Sequence, residues 1–153
     1  MSVNTEPAVQ FQALIAGLTG LSALVGTRIG QDRPMDQGGF PAITWSAEED
    51  RPGTTDAENW LTRDFRITVD VFGSNLDTLD EIRAILDGDG STGLNEANNR
   101  SGRPLDTTNW KCTRLRRVSA WRRLDWSGRQ DVTMNDLWQL QGEWRYTMQR
   151  KQA

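Results

Sequence analysis

The side chains in this sequence that could do acid–base or nucleophilic chemistry are its 21 carboxylates and one cysteine, Cys112. Histidine, the usual proton-transfer residue near neutral pH and the commonest metal ligand, is absent. Its absence excludes Ser-His and Cys-His nucleophile pairs and zinc sites built from cysteine and histidine. Because most carboxylates fall in polar loops or on predicted helix surfaces, we expect no catalytic site, no cofactor and no metal centre.

A glycine-rich segment at residues 88–93 resembles two ligand-binding motifs but fits neither. In dinucleotide-binding loops such glycines lie between a strand and a helix N-terminus, where backbone amides face a pyrophosphate. Here the segment follows a predicted helix and leads into polar coil. As a calcium loop starting at Asp87, it has Thr92 instead of the turn glycine and Asn98 instead of the bidentate glutamate. We therefore expect neither ligand.

A positive cluster lies within residues 111–123, a stretch that contains no acid. Its six basic residues are Lys111, Arg114, Arg116, Arg117, Arg122 and Arg123. Interleaved with Trp110 and Trp121, they could follow a phosphate backbone and stack bases. They could equally pair with carboxylates of a neighbouring subunit, or face solvent. Because the whole chain has a net charge of -3, a protein interface is the preferred interpretation.

Seven tryptophans are many for 153 residues, and tryptophan and arginine are enriched at interface hot spots. Trp138 and Trp144 share the apolar face of a predicted strand, which favours core packing. Trp60 and Trp126 fall in polar turns, where an exposed indole would be costly unless a partner covers it. The residues predicted to contact another subunit or a partner protein are Trp60, Arg114, Arg116, Arg117, Arg122, Arg123 and Trp126.

Charge is distributed unevenly along the chain. Residues 1–99 contain 6 basic and 16 acidic side chains, whereas residues 100–153 contain 12 and 5. Two parts of opposite charge could bring copies of the chain together through complementary faces. Alternatively, folding could interleave both signs over one surface.

Apolar spacing predicts two main helices. The first follows Thr5-Glu6-Pro7, which supplies a hydroxyl cap, an acid in the first turn and a proline where no N–H is needed. Its apolar residues recur at helical spacing: Phe11, Leu14, Ile15 and Leu18. A short turn, residues 21–25, ends at Gly26. The second main helix spans residues 76–86 after an Asn75 cap.

Four segments are predicted as strands, at residues 42–46, 63–72, within 110–126 and at 138–149. The second and fourth alternate apolar and polar residues, which is typical of half-buried antiparallel strands. Residues 47–62 are predicted as an exposed loop, and residues 87–109 as a long polar loop of the kind that is often functional or disordered. The sequence thus indicates an α+β fold with a mixed or antiparallel sheet of about four strands, flanked by two main helices.

The chain is expected to form a single domain over residues 1–153. No stretch approaches the roughly 18 apolar residues of a membrane span, and no basic segment at the N-terminus suggests a secretory signal. A lone cysteine favours a reducing compartment. We therefore expect a soluble intracellular protein without a membrane partner.

The order of these elements resembles the tail terminator (tail completion) proteins of long-tailed bacteriophages. The resemblance covers about residues 8 to 150. Its most specific piece is the segment Ala23-Leu24-Val25-Gly26-Thr27-Arg28-Ile29, which follows the first helix. The proline-bearing entry to the first strand at residues 40–45 and the final strand ending at Met148 also fit it.

The resemblance implies a homohexameric ring that caps the tail tube, ends its polymerisation and presents a surface to the head-side connector. Its partners would be other copies of the chain, the tail tube protein and a head-side connector or neck protein. DNA would only pass through the ring as cargo. The location implied is the tail–neck junction of the virion, after assembly in the bacterial host cytoplasm.

Two other functions remain open from the sequence. Within the same class, the chain could be a head–tail connector or a neck stopper protein. From a different class, it could be a small nucleic-acid-binding module that uses the 111–123 basic block.

Overall fold

The computed structural model describes residues 5–34, 39–50, 62–88, 92–95, 105–107, 110–126 and 137–150. Within these ranges the elements are, in chain order, α1 (Thr5–Ala16), α2 (Leu21–Val25), β1 (Ile29–Gln31), β2 (Ala42–Asp50), β3 (Thr62–Gly73), α3 (Leu76–Asp87), β4 (Trp110–Arg117), β5 (Arg122–Asp125) and β6 (Trp138–Arg150). No helix in this part of the chain is long and apolar enough to cross a membrane.

All six described strands belong to one mixed sheet. Their order is β1-β2-β3-β6-β4, and β5 pairs with the first residues of β6 on the same side as β4. β1 is parallel to β2, and every other pairing is antiparallel. The α+β class and the mixed sheet are as predicted, but the predicted number of about four strands is too low.

The two additional strands, β1 and β5, are short. The sequence predicts the start of a loop where β1 lies and a turn where β5 lies. Three or four residues are too few to show the alternation that identifies a strand. Both segments are extended because a longer neighbour, β2 or β6, supplies the pairing partner.

The predicted loop at 47–62 is wrong at its two ends. β2 continues through residues 47–50, which pair with β3 down to Asp50↔Asp64, and Thr62 begins β3. Acidic side chains disfavour strands only weakly, and pairing along β3 overrides that preference. Residues 51–61 lie outside the described part of the chain.

The predicted helices and the cap of α3 are confirmed. Asn75 accepts hydrogen bonds through Oδ1 from the backbone N–H groups of Asp77 (2.9 Å) and Thr78 (3.4 Å). These bonds satisfy two of the N–H groups that a helix start leaves unpaired. The apolar side of α3 is fully buried at Leu79, Ile82 and Leu86.

The core lies between the helices and one face of the sheet. Alternate residues of β3 and β6 point into it, and the helix residues Phe11, Ile15 and Leu21 complete it. Phe11 meets Trp45 edge to face at 4.8 Å, and the Trp45 indole donates a 2.6 Å hydrogen bond to Gln12. The main apolar cluster thus lies on one side of the sheet.

The segment between α3 and β4 is anchored in this core. Its described residues form no helix or strand of their own, which agrees with the predicted long loop. However, Leu94 and Leu105 are fully buried, and the Leu94 N–H donates to the Leu86 carbonyl at 2.7 Å. These two apolar residues of the long loop are therefore part of the core.

Two tryptophan rings pack so closely on position 142 of β6 that only glycine fits there. A Cβ placed there would lie 2.8 Å from the Trp144 ring and 3.0 Å from the Trp121 ring. The two rings meet edge to face, with centroids 5.3 Å apart. Trp121, which follows β4 in the chain, packs here only because residue 142 has no side chain.

We expect Gly142→Ala to destabilise the chain by about 1–3 kcal/mol, because the added methyl group must displace a packed indole. Urea unfolding followed by tryptophan fluorescence measures this change. Gly30→Ala is the matched control: its new Cβ meets nothing closer than 3.5 Å, so its unfolding midpoint should stay near that of the parent chain. Equal midpoints for the two variants would contradict the proposed role of Gly142.

Candidate assembly surface

The side of the sheet opposite the helices, which we call the open face, carries polar and charged side chains. Alternation places Arg66 and Thr68 of β3, Glu143 and Arg145 of β6, and Arg116 of β4 on it. No described helix covers this face. An antiparallel sheet with one buried face commonly presents its other face to water or to a partner.

Three arginines form a row straight across the open face. The strand register pairs Arg66 with Arg145, and Arg145 with Arg116. All three are exposed, and Arg66 Nε lies 3.2 Å from Glu143 Oε1. Like charges directly opposite each other on neighbouring strands repel, and Arg66 also has the acids Glu143 and Glu48 as neighbours.

The row lines a groove with a volume of about 340 Å³. The groove, called the arginine groove below, is lined by Arg66, Arg114, Arg116 and Arg145 together with Glu143 and Val118. Among these residues the arginines outnumber the carboxylate four to one. Val118 adds an apolar contact surface, being 49% exposed. The arginine groove therefore favours a partner that presents carboxylates.

Of the predicted interface residues, Arg114 and Arg116 lie together on this surface, whereas Arg117 does not. Arg117 points to the helix side, where its Nε lies 3.3 Å from Asp87 Oδ1 and its guanidinium donates to the Ser119 carbonyl at 2.9 Å. Asp87 also accepts the Trp121 indole N–H through both carboxylate oxygens, at 3.0 and 3.1 Å. Arg117 thus links β4 to the end of α3 within the chain.

Arg122 and Arg123 are exposed but lie at the other end of the sheet. They pair with Gln141 and Leu140, in the first part of β6, whereas Arg114 and Arg116 pair with its second part. The six clustered basic residues of the sequence therefore do not form one patch. Their separation divides the predicted site between two ends of the sheet.

Trp126 lies at the β5 end, directly after the strand. It is half-buried, and its indole donates a 2.8 Å hydrogen bond to Gln139 Oε1. Gln139 and Gln141 in turn donate to Asp70 Oδ1, at 2.7 and 2.9 Å. The polar end of this indole is thus satisfied within the chain, while its role in binding a partner stays a prediction. Trp60 lies outside the described residues.

Side chains from the preceding segment occupy the outer edge of β4. Three of its backbone N–H groups donate to side-chain oxygens at 2.8–3.1 Å: Trp110 to Thr107, Cys112 to Asp106, and Arg117 to Asn95. Asn95 Oδ1 also accepts the Trp144 indole N–H at 3.1 Å. A further strand could pair at these positions only by displacing the bonds already made.

The side chains best placed for proton chemistry are deeply buried. Burial raises the pKa of Tyr146 well above its usual value, and the neighbouring Cys112 and Asp106 raise it further. The Tyr146 hydroxyl therefore stays protonated, 3.4 Å from the Leu105 carbonyl that accepts its hydrogen bond. In the described part of the chain, no group of three or more acidic or cysteine side chains could hold a metal ion.

Sequence reasoning missed Arg66 and Arg145, which complete the arginine groove. Both occupy polar positions of alternating strands, so their common orientation relative to the core was accessible from the pattern. Their position in one row with Arg116 could not be predicted, because it depends on the strand order and the register.

Comparison with known proteins agrees with the resemblance seen in the sequence. The family model for "Tail completion protein gp17" matches residues 10–120. A chain from a structure titled "Virion of native gene transfer agent (GTA) particle" has the same fold, with a TM-score of 0.56 and 14% sequence identity. The match covers 93% of this chain and 96% of that chain. No curated protein matches the sequence.

The matched residues of the family model include the second half of α1, all of α2 and α3, β1 to β3 and all of β4, which carries Arg114 and Arg116. They span most of the 153 residues. The chain therefore belongs to the tail completion protein gp17 family and is a structural protein of the phage tail.

Proposed function

We propose that this chain forms a six-membered ring that caps the last ring of the tail tube, ends tube polymerisation and joins the tube to the head-side connector. In this role it acts through contacts alone, without catalysis, at the tail–neck junction. Its partners are other copies of itself, the tail tube protein and a connector or neck protein. DNA passes through the ring as cargo.

The observation that carries this proposal is the arginine row Arg66–Arg145–Arg116, in a chain of the tail completion family. A row of like charges is unfavourable alone but favourable against an acidic surface. In a ring, each copy presents one face to a different face of the next copy. Ring assembly therefore supplies a permanent partner for this surface.

The separation of the basic residues supports contacts with more than one neighbour. A capping ring has the tube on one side and the connector on the other. We assign Arg122, Arg123 and Trp126, at the β5 end of the sheet, to one of these axial neighbours. Trp60, predicted as a second tryptophan anchor, belongs to the same proposal.

Two alternative functions stay open. A head–tail connector or neck stopper protein would use similar contacts but would not bind the end of a tail tube. A nucleic-acid-binding module would use the arginine groove to neutralise phosphates. The four arginines that line the groove favour this second alternative enough to justify a direct test.

We expect the purified chain to form hexamers, alone or on addition of the tail tube protein encoded with it. Native mass measurement gives the number of copies, and electron microscopy gives the lengths of tubes polymerised with and without the chain. Capping should shorten the tubes and leave a ring at one end. Tubes of unchanged length without an end ring would contradict the capping role, and a strictly monomeric chain under both conditions would contradict the ring.

We expect Arg116→Gln to weaken ring assembly but to leave affinity for duplex DNA unchanged at about 150 mM salt. Removing a charge from a phosphate-binding groove would instead reduce the salt dependence of DNA affinity by about one unit of the log–log slope. Fluorescence anisotropy with labelled duplex DNA measures that slope. Arg83→Gln is the control, since Arg83 lies on α3 and pairs only weakly with Asp80 at 3.6 Å.

The nucleic-acid alternative would prevail if DNA binding were tight and fell steeply with salt, and if Arg116→Gln reduced it while Arg83→Gln did not. Ring assembly unaffected by Arg116→Gln in the same experiment would strengthen that conclusion.

A further inference from the structure

We infer that the acidic margin of one copy, residues 46–49 of β2, docks against the arginine groove of the next copy. This inference rests on the proposed ring and names the two surfaces that hold it together. The occupant of the groove is therefore a second copy of this chain.

Acids on β2, near one edge of the sheet, and arginines on β4, at the other edge, lie on the same lines of register partners across the strands. The strand register places four residues on one line across the open face: Glu48, Arg66, Arg145 and Arg116. The neighbouring line runs Asp50, Asp64, Thr147 and Arg114 by the same registers. Each line begins with an acid on β2 and ends with an arginine on β4.

Opposite edges of one sheet meet when copies are arranged head to tail around an axis. In such a ring, the β2 edge of one copy approaches the β4 edge of the next. Because one line begins with Glu48 and ends with Arg116, this approach places Glu48 of one copy next to Arg116 of its neighbour. This match needs no change in the fold of either copy.

Within the acidic margin, Glu48 is the carboxylate available for docking. It is exposed and lies on the open face, one strand away from Arg66. Glu49 points to the other side, where both of its oxygens accept hydrogen bonds from Arg63, at 2.6 and 2.7 Å. Glu49 is therefore committed within the chain, and Glu48 is the residue to test.

The margin also projects beyond its neighbouring edge strand. β1 pairs with Ile43, Thr44 and Trp45 only, so β1 leaves the rest of β2 uncovered. Beyond Trp45, the described residues that pair with β2 all belong to β3. We place the incoming copy on the side of this margin where, among the described residues, no strand pairs.

Side-chain contact is the mode of docking that the β4 edge permits. The backbone N–H groups of Cys112 and Arg117 are already bonded to Asp106 and Asn95. A neighbour's β2 would have to break these bonds to extend the sheet. The open face, where the arginine groove lies, needs no such rearrangement.

A protein carboxylate fits the arginine groove better than a phosphate backbone does. Glu143 lies inside the groove and Glu48 stands at the end of the same line of residues, so a polyanion would meet both. A single glutamate from a neighbour needs only one or two arginines. Val118, half-exposed at the groove, adds an apolar contact that a phosphate would leave unused.

Two single charge reversals test this match. Arg116→Glu gives a copy with an acid at both ends of this line, and Glu48→Arg gives a copy with an arginine at both ends. We expect each alone to raise the concentration for half-assembly at least about tenfold, because like charges then face each other across the interface. Mixed in equal amounts, the two variants should assemble again as rings of alternating copies, which close only with an even number such as six.

Sedimentation velocity and native mass measurement, with and without tube protein, give the assembly state of each sample. Circular dichroism and thermal melting check the fold of each variant. Arg116→Glu should fold at least as well as the parent, because it places an acid directly opposite Arg145. Arg83→Glu, the same charge change on α3, is the matched control and should assemble like the parent.

Restoration of rings by mixing supports the match, since no other arrangement requires both variants together. If each variant alone assembles like the parent, the proposed pairing of Glu48 with Arg116 is wrong, although the ring itself is not contradicted. Variants that fail alone and also fail when mixed would show that the two surfaces bind different partners. A parent chain that forms no ring under either condition would instead overturn the proposed function, and this inference with it.

Discussion

Strand β6 is the element on which the rest of this structure depends, because its backbone joins three other strands into one sheet. It pairs with β3 along twelve consecutive positions and carries β4 and β5 on its other side. Its odd and even residues have separate tasks. Trp144, Tyr146 and Met148 are buried against the helices, whereas Glu143 and Arg145 face outward. One strand thereby supports both the core and the surface proposed for assembly.

The division of the sheet into a buried face and an open face explains how the chain can be stable and still available for assembly. Apolar burial is concentrated between the helices and one side of the sheet, where most of the folding free energy arises. The other side can carry neighbouring like charges such as Arg145 and Arg116, because the folding free energy comes mainly from the buried side. The buried side of these strands therefore provides stability, and the open side is the one proposed for recognition.

The sequence predicted the long elements and missed what depends on pairing. Alternation identified β3 and β6, and the Asn75 cap placed the start of α3. β1 and β5 are extended only through their neighbours, so no local pattern could reveal them. The separation of Arg117 from Arg116 follows from simple alternation along β4, but the separation of both from Arg122 requires the register on β6. Trp121 and Gly142 form a contact between segments about twenty residues apart, which spacing alone does not encode.

The side chains of Asn95 and Asp106 on the outer edge of β4 have a consequence for selectivity. Backbone hydrogen bonding between strand edges does not depend on the side chains. An exposed edge therefore accepts any extended chain, including a misfolded copy. At these positions of β4, the side-chain hydrogen bonds close that indiscriminate route towards fibrils. What remains are contacts between particular side chains, which reject a wrong partner by charge. A chain proposed to end a polymer thus has, along its β4 edge, side chains that act against its own polymerisation.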